Sequence, residues 1–304
     1  MTKSKLAPLS LNIQFFAAET PLTTNLSKAL SLDFTELFGQ RFKSLYELLG
    51  IERIQSMASG TVLKTYTSSV TLSGAVVAPG DIIPLSEVVM EDGPTQELAW
   101  DKKRKAVTME DIQKFGFDRA ITMTDSKLIG EIQKGVRSKL LAQLATGTGV
   151  ATGEGLQQAM AQNWAAVTTK FGEDDVQIIS FMNPFDVADY LGKANITTQN
   201  AFGMTYLEDF LNNKVVFLHG DVPKGTVYST ADQNLVAAHA QMSGGAIGQA
   251  FDFTTDETGL IGVTHDINKQ RLQAETITAY GIVLFAERLD GVVVGTITEE
   301  APVV

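Results

Sequence analysis

The sequence predicts an α+β protein, and three observations carry that expectation. An apolar stripe of helical period runs from Leu128 to Leu144, a long β-like stretch spans Gly60 to Lys105, and strands alternate with helices after Val176. The 304 residues suffice for one large or two modest domains, and 44% hydrophobic residues supply a core. Only 19% are charged, below the ~25% of ordinary soluble chains, so part of the outer surface is expected to be covered by other subunits.

Lys3 and Lys5 followed by Leu6 to Ala18 imitate a secretory leader, with Ala17 and Ala18 where cleavage would fall. Asn12 and Gln14 interrupt that stretch, however, and Leu11, Ile13 and Phe15 alternate with them at the period of a strand, which reads as an extended arm. From Leu26 to Leu49 the residues Leu30, Phe34, Leu37, Phe38, Phe42, Leu45, Leu48 and Leu49 recur at helical spacings, with Ser31 or Asp33 as caps. One or two short amphipathic helices broken near Gly39 are expected, their apolar face lying on this chain's body or a neighbour's.

Gly60 to Lys105 holds Thr61 to Thr67 and Val70 to Leu72, turn signals at Pro79-Gly80, and breaks at Pro84 and Gly93-Pro94. The pattern is a long hairpin with no core of its own, and two strands alone are marginal in water, so it must lie on something. Lys102-Lys103-Arg104-Lys105 follows, preceded by Asp81, Glu87, Glu91, Asp92 and Glu97. This run is either a solvated hairpin base or a contact with an adjacent acidic subunit.

Asp125 to Gly147 reads as a helix over 30 Å long at ~1.5 Å per residue, capped by Thr124 or Asp125 and stopped by Gly147. Gly147, Gly149, Gly153 and Gly155 then mark a hinge or boundary. They do not read as a phosphate loop, because a helix precedes them and no G-K-[ST] triplet follows. Leu156, Met160, Trp164 and Val167 mark another helix. Val176 to Phe181 is a buried strand running into an Asn183-Pro184 helix start with Asp186 in its first turn. Strands are expected at Val215 to Leu218 and Thr226 to Ser229 around a Val222-Pro223-Lys224-Gly225 turn. A glycine-rich stretch at Gly244, Gly245 and Gly248 separates these from strands at Leu260 to Thr264, Leu272 to Glu287 and Val292 to Ile297, and Glu299 to Val304 reads as a frayed tail.

The chemistry expected of an enzyme is missing from the pattern. The absence of cysteine removes disulfides, thiolate metal sites and cysteine nucleophiles together. His219, His239 and His265 are scattered without metal-ligand spacing, no G-x-S-x-G elbow is present, and acidic pairs such as Glu208-Asp209, Asp174-Asp175 and Asp256-Glu257 read as loop solvation. Trp100 and Trp164 have no basic groove around them and read as core or interface anchors. The net charge of −11 has the wrong sign for gripping a run of phosphates, and no stretch approaches the ~18 apolar residues of a membrane span. No catalytic residue, cofactor or metal is expected.

The arm L-N-I-Q-F-F-A at Leu11 to Ala17 resembles the opening of many major capsid proteins of tailed bacteriophages. The order of arm, helix, extended hairpin, spine helix, hinge and mixed domain, with E-R-x-D-G-V-V-V-G-T-I at Glu287 to Ile297, resembles the Hong Kong 97-like capsid fold over nearly the whole chain. Asn183-Pro184 and the V-P-x-G turn look like further family features.

The resemblance implies an arm with short helices over 1–59, an extended loop over 60–105, a peripheral domain over 106–149 and 259–289, and an axial domain over 150–258 and 290–304. It implies a non-enzymatic shell protein that forms hexamers and pentamers around double-stranded DNA in a virion, assembled in the bacterial host cytoplasm. A portal protein stands at one vertex of such shells, and decoration proteins sit on some. Combined with the uncovered apolar and basic residues, it makes Leu11, Ile13, Phe15, Phe16, Tyr66, Val70, Leu72, Ile82, Ile83, Trp100, Lys102, Lys103, Arg104 and Lys105 the expected contacts between subunits.

Some family members begin with a long helical segment that acts as internal scaffold and is removed. Here the arm starts almost at once, so a separate scaffolding protein, or prior processing, is expected. Some relatives crosslink a loop lysine to a neighbour's asparagine; nothing in this sequence identifies a partner or catalytic acid for Lys64 or Lys102 to Lys105, and no crosslink is expected. The rivals are an encapsulin nanocompartment of the same fold and a secreted β-rich adhesin or surface-layer protein.

Overall fold

The computed structural model describes residues 23–73, 80, 82, 84–172, 176–193, 198–201, 204–242 and 250–298. The expected arm with Leu11, Ile13, Phe15 and Phe16, the hairpin residues Pro79 and Ile83, Asp174-Asp175, the Gly244 to Gly248 stretch and the Glu299 to Val304 tail lie outside them. In chain order the elements are α1 (Thr23–Leu48), β1 (Arg53–Met57), β2 (Val62–Thr71), β3 (Glu87–Glu97), β4 (Asp101–Thr108), α2 (Met109–Phe115), α3 (Phe117–Leu144), β5 (Gly149–Glu154) and α4 (Gly155–Phe171). There follow β6 (Ile178–Met182), α5 (Pro184–Lys193), β7 (Gln199–Ala201), β8 (Met204–Phe210), β9 (Asn213–Leu218), β10 (Thr226–Ala231), β11 (Leu235–Ala240), β12 (Ile261–Asn268), β13 (Gln273–Tyr280), β14 (Ile282–Ala286) and β15 (Val292–Thr298). The α+β class holds.

The largest sheet has the order β5-β15-β10-β6-β9-β8-β7 and mixes parallel and antiparallel pairs. Strand alternation sorts its side chains onto two faces. Met182, Leu207, Val216, Leu218 and Val227 meet Met160 of α4 and Val187 of α5, while Ile179, Phe181, Phe217 and Tyr228 join the main core. In that core Phe181 and Phe217 stack at 5.1 Å.

Helix α1 is one continuous element, not two. Phe34, Phe38, Phe42 and Leu45 form a buried stripe, the helix packs on β12, and the core it joins also holds Ile129, Ile132, Val136, Leu140 and Leu144 of α3; the Phe38 and Phe42 rings lie 4.4 Å apart. Its apolar face therefore lies on this chain's own body. Gly39 does not break the helix: a Cβ there would collide with the Asp256 carboxylate, so the glycine permits a close approach. Ser31 and Asp33 sit inside the helix and cap nothing.

The spine α3 starts eight residues before the expected Asp125, because Phe117, Ala120 and Ile121 are held by Val107 and Ala274 in a cluster of their own. Thr124 and Asp125 are mid-helix, and the Thr124 hydroxyl donates back to the Ala120 and Ile121 carbonyls, at 2.8 and 2.9 Å. Gln143 fixes α3 to β14, donating to the Ala286 carbonyl and accepting from its N–H, both at 3.0 Å.

Two smaller sheets complete the body: β1-β11-β14, in which β1 and β11 are parallel, and β12-β13-β4. The expected strand from Leu272 to Glu287 divides at Gly281 into β13 and β14, which belong to different sheets.

Candidate assembly surfaces

β2 and β3 form a two-stranded sheet that pairs with no other described strand, as a hairpin should. Its root is tied to the body. Tyr66 N–H donates to the Glu287 carbonyl at 3.0 Å beside a bulge between Lys64 and Tyr66, Leu98 N–H donates to Thr61, and Leu63 and Leu98 are buried against Val236, Val283 and Phe285. Beyond the root the apolar side chains stand in solvent: Leu72 is 75% exposed, Ile82 93% and Leu85 97%, with Val88 and Met90 also exposed. Such a strip is costly unless something covers it.

The structure sorts the expected contact residues. Leu72 and Ile82 are exposed, as a contact requires. Val70 pairs with Val88 through its backbone, and its side chain lies outside the described residues. Tyr66 and Trp100 serve the chain itself: Tyr66 anchors the root, and Trp100 packs on the cluster of Leu63 and Leu98. Trp164, in contrast, is 39% exposed on α4 and is no core anchor.

The basic run is not the base of the hairpin. It forms β4, paired along its length with β13. Arg104 grips Glu275 through two bonds, Nη2 to Oε1 at 2.6 Å and Nε to Oε2 at 3.0 Å. These bonds, with those from Gln273 and Asn268, hold the Glu275 carboxyl down at about 2. Lys105 turns inward to Asp125 at 2.7 Å. Arg104 and Lys105 are thus engaged within the chain, and only Lys102 and Lys103 of the four present their charge outward without such a partner among the described pairs.

Asp125 lies at the centre of a polar cluster that the sequence did not reveal. Its Oδ2 is 3.2 Å from His265 Nε2, its Oδ1 accepts from Thr276 at 3.3 Å, and His265 Nδ1 is 2.8 Å from Ser31 Oγ. Serine, histidine and aspartate in series are the parts of a hydrolytic triad. Here the Ser31 hydroxyl donates to the Ser27 carbonyl and receives the His265 backbone N–H, all three groups are buried, and Lys105 neutralises the aspartate. The arrangement joins α1, β4, α3, β12 and β13.

The glycines expected as a hinge are held in place. Gly149 and Gly153 lie in β5, which pairs in parallel with β15, and Gly155 opens α4 with a positive φ of 70°. A Cβ on Gly147 would sit 2.6 Å from Val292, so these residues let β5 approach β15 closely. The Asn183-Pro184 start is as expected: Asn183 Oδ1 accepts the Phe185 N–H at 3.0 Å, and Asp186 accepts the Gly225 N–H at 2.9 Å, joining the helix to the V-P-x-G turn.

Among the described residues no three His, Asp or Glu side chains are placed to share a metal ion, and no helix is long and apolar enough to cross a membrane.

The described residues thus combine a spine helix, a hairpin that pairs with no other described strand, and a mixed sheet with α4 and α5 on one face. No family model and no curated protein matches the chain. Solved structures do. The capsid of an empty GTA particle superposes with a TM-score of 0.52 at 10% identity, over 83% of this chain and 89% of that one. The cyanophage A-1(L) capsid gives 0.51 at 13% identity over 82% and 90%. A virus-like particle from Pyrococcus furiosus gives 0.51 at 10% identity over 90% and 99%. The chain has the Hong Kong 97-like capsid fold.

Proposed function

We propose that this protein is the major capsid protein of a tailed bacteriophage, building an icosahedral shell from hexamers and pentamers around double-stranded DNA. The observation that carries the reading is the β2–β3 hairpin: its root is cemented into the body, yet Leu72, Ile82 and Leu85 have nothing to cover them within the subunit. Identical copies supply that cover, and weak contacts repeated many times sum to a stable shell. In this reading the spine and the β12-β13-β4 layer make a peripheral domain, the seven-stranded sheet with α4 and α5 an axial domain, and the β2–β3 hairpin the loop that reaches a neighbour. Such a chain acts by assembly rather than catalysis. An acidic subunit suits a container, since an inner wall of net negative charge repels rather than grips packaged phosphates. A separate scaffolding protein, a portal at one vertex and decoration proteins are the expected partners, and the virion, filled after assembly in the host cytoplasm, the expected location.

Electron microscopy and sedimentation of the purified chain at micromolar concentration, with scaffold if required, test the reading: closed particles are expected, and a monomer under every condition would overturn it. Denaturing gels of those particles should show monomer only, with no covalent ladder. A nanocompartment shell of the same fold is the second reading. Particle contents separate the two, DNA supporting the first and a protein cargo the second.

A further inference from the structure

Between the C-terminal half of α1 and β1 lies a cleft of about 700 Å³, walled by Tyr46, Ile51, Ile54, His239 and Leu260. Its volume falls in the ~300–1,000 Å³ range of small-molecule sites. Tyr46 and His239 are only 6% and 8% exposed, yet Tyr46 Oη and His239 Nδ1 have no hydrogen-bond partner among the described residues. Buried polar atoms are normally satisfied, so two orphans on the walls of one cleft mark a missing polar group. The other walls are apolar, with Ile51 and Leu260 buried and Ile54 half exposed. The charged residues that line the cleft balance, Lys43 and Lys214 against Glu47 and Glu52, and Lys43 pairs with Glu47 and Lys214 with Asp232. Neither sign of charge is invited.

We propose that this cleft binds a neutral small molecule whose polar end both accepts and donates a hydrogen bond, an aryl carboxamide or lactam by class, with its apolar body against Ile51, Ile54 and Leu260. Burial raises the pKa of Tyr46 and lowers that of His239. At neutral pH the phenol therefore keeps its proton to donate, and the imidazole is uncharged with a ring nitrogen free to accept. The ligand's carbonyl takes the Tyr46 hydroxyl, and its N–H goes to His239 Nδ1. A hydrocarbon would fill the same space and leave both atoms unpaired. A carboxylate supplies acceptors alone and an ammonium donors alone, and each brings an unpaired charge to a buried site. The site stands apart from the shell reading, and its test needs no particle.

The test is a ligand-observed NMR titration of the purified full-length chain with probes of nearly one size. Benzamide accepts and donates, acetophenone only accepts, and toluene does neither. Benzamide should bind tightest and toluene weakest, with about tenfold lost between benzamide and acetophenone, the worth of one hydrogen bond. A merely apolar cleft would reverse that order, because acetophenone and toluene leave water more readily than benzamide does. Benzoate and benzylamine, both charged at neutral pH, should bind more weakly than benzamide.

Tyr46→Phe removes one hydroxyl and keeps the ring. It should weaken benzamide and acetophenone by about tenfold and leave toluene unchanged. Without ligand the variant should unfold at a higher urea midpoint than the parent, since it no longer buries an unpaired hydroxyl. A lower midpoint would mean that the hydroxyl already has a partner, water included, and overturns the proposal. So does any of four binding results: no binding of benzamide, the reversed order, charged probes bound as tightly as benzamide, or benzamide binding undiminished in Tyr46→Phe.

Discussion

Phe38 and Leu85 are both large apolar side chains, but one is sealed inside the body and the other stands almost wholly in solvent on the hairpin. The body earns its fold from its own burial, since α1, α3 and the faces of three sheets share one continuous core. The hairpin owes its shape to ladder hydrogen bonds and to a root clamped by Tyr66, Leu63 and Leu98. On the proposed reading the difference separates folding from assembly: residues in the body would determine whether a subunit exists, and residues beyond the root what it joins. Substitutions that respect or violate this division test it.

The largest effect is expected at Phe38. Phe38→Ala opens a cavity in the main core beneath α1 and should cost about 3–5 kcal/mol, read as a lowered urea midpoint at unchanged slope. Asp125 comes next. Asp125→Ala strands Lys105 in a buried site, where loss of one partner of an ion pair costs about 3 kcal/mol. Pairing it with Lys105→Met should recover much of the loss, and a double-mutant cycle by urea unfolding measures the coupling. Near-additivity would show that the cluster does not act as a unit.

A smaller loss is expected from Asn183→Ala, which removes the cap of α5 and should cost about 1 kcal/mol by thermal unfolding. Glu275 tests the β4–β13 pairing through pH. Its folded pKa of about 2 lies below the usual 4.5, so the pairing adds stability that is fully present above 4.5 and lost as the pH falls toward 2. Glu275→Gln should flatten that limb of the stability curve. His239 is held neutral by burial, its pKa lowered, so the unfolded chain takes up a proton first and stability should also fall as the pH drops below 6.5.

How far the sequence revealed this division depends on the local signal. The α3 stripe from Leu128 to Leu144 was legible because a fixed face meets one core at helical period, and Asn183-Pro184-Phe185-Asp186 because a cap is a local motif. The first two turns of α3 were not, since Thr124-Asp125 imitates a cap when its burial against Lys105 and His265 cannot be seen. β11 is buried throughout, so Leu235 to Ala240 shows no alternation, and its parallel partner β1 is short and polar. The Ser31–His265–Asp125 cluster joins residues remote in sequence, and no spacing announces it. The basic run misled because local charge gives no sign of which strand will pair with it; β13 supplied Glu275 and drew β4 into the body.

The smallest effect on stability is expected where the effect on assembly is greatest. Leu85 is almost fully exposed, so Leu85→Asp removes no buried contact and should shift subunit stability by no more than about 0.5 kcal/mol. If neighbouring copies cover this strip, as proposed, the new carboxylate must be desolvated at every hairpin contact, and a penalty of even ~1 kcal/mol per contact is multiplied by the number of contacts in a shell. The variant should therefore melt like the parent and fail to form particles by sedimentation. Should it assemble normally, the hairpin's exposed strip would not be the joining surface; should it unfold, the hairpin would belong to the body's cooperative unit and the division drawn here between folding and assembly would be lost.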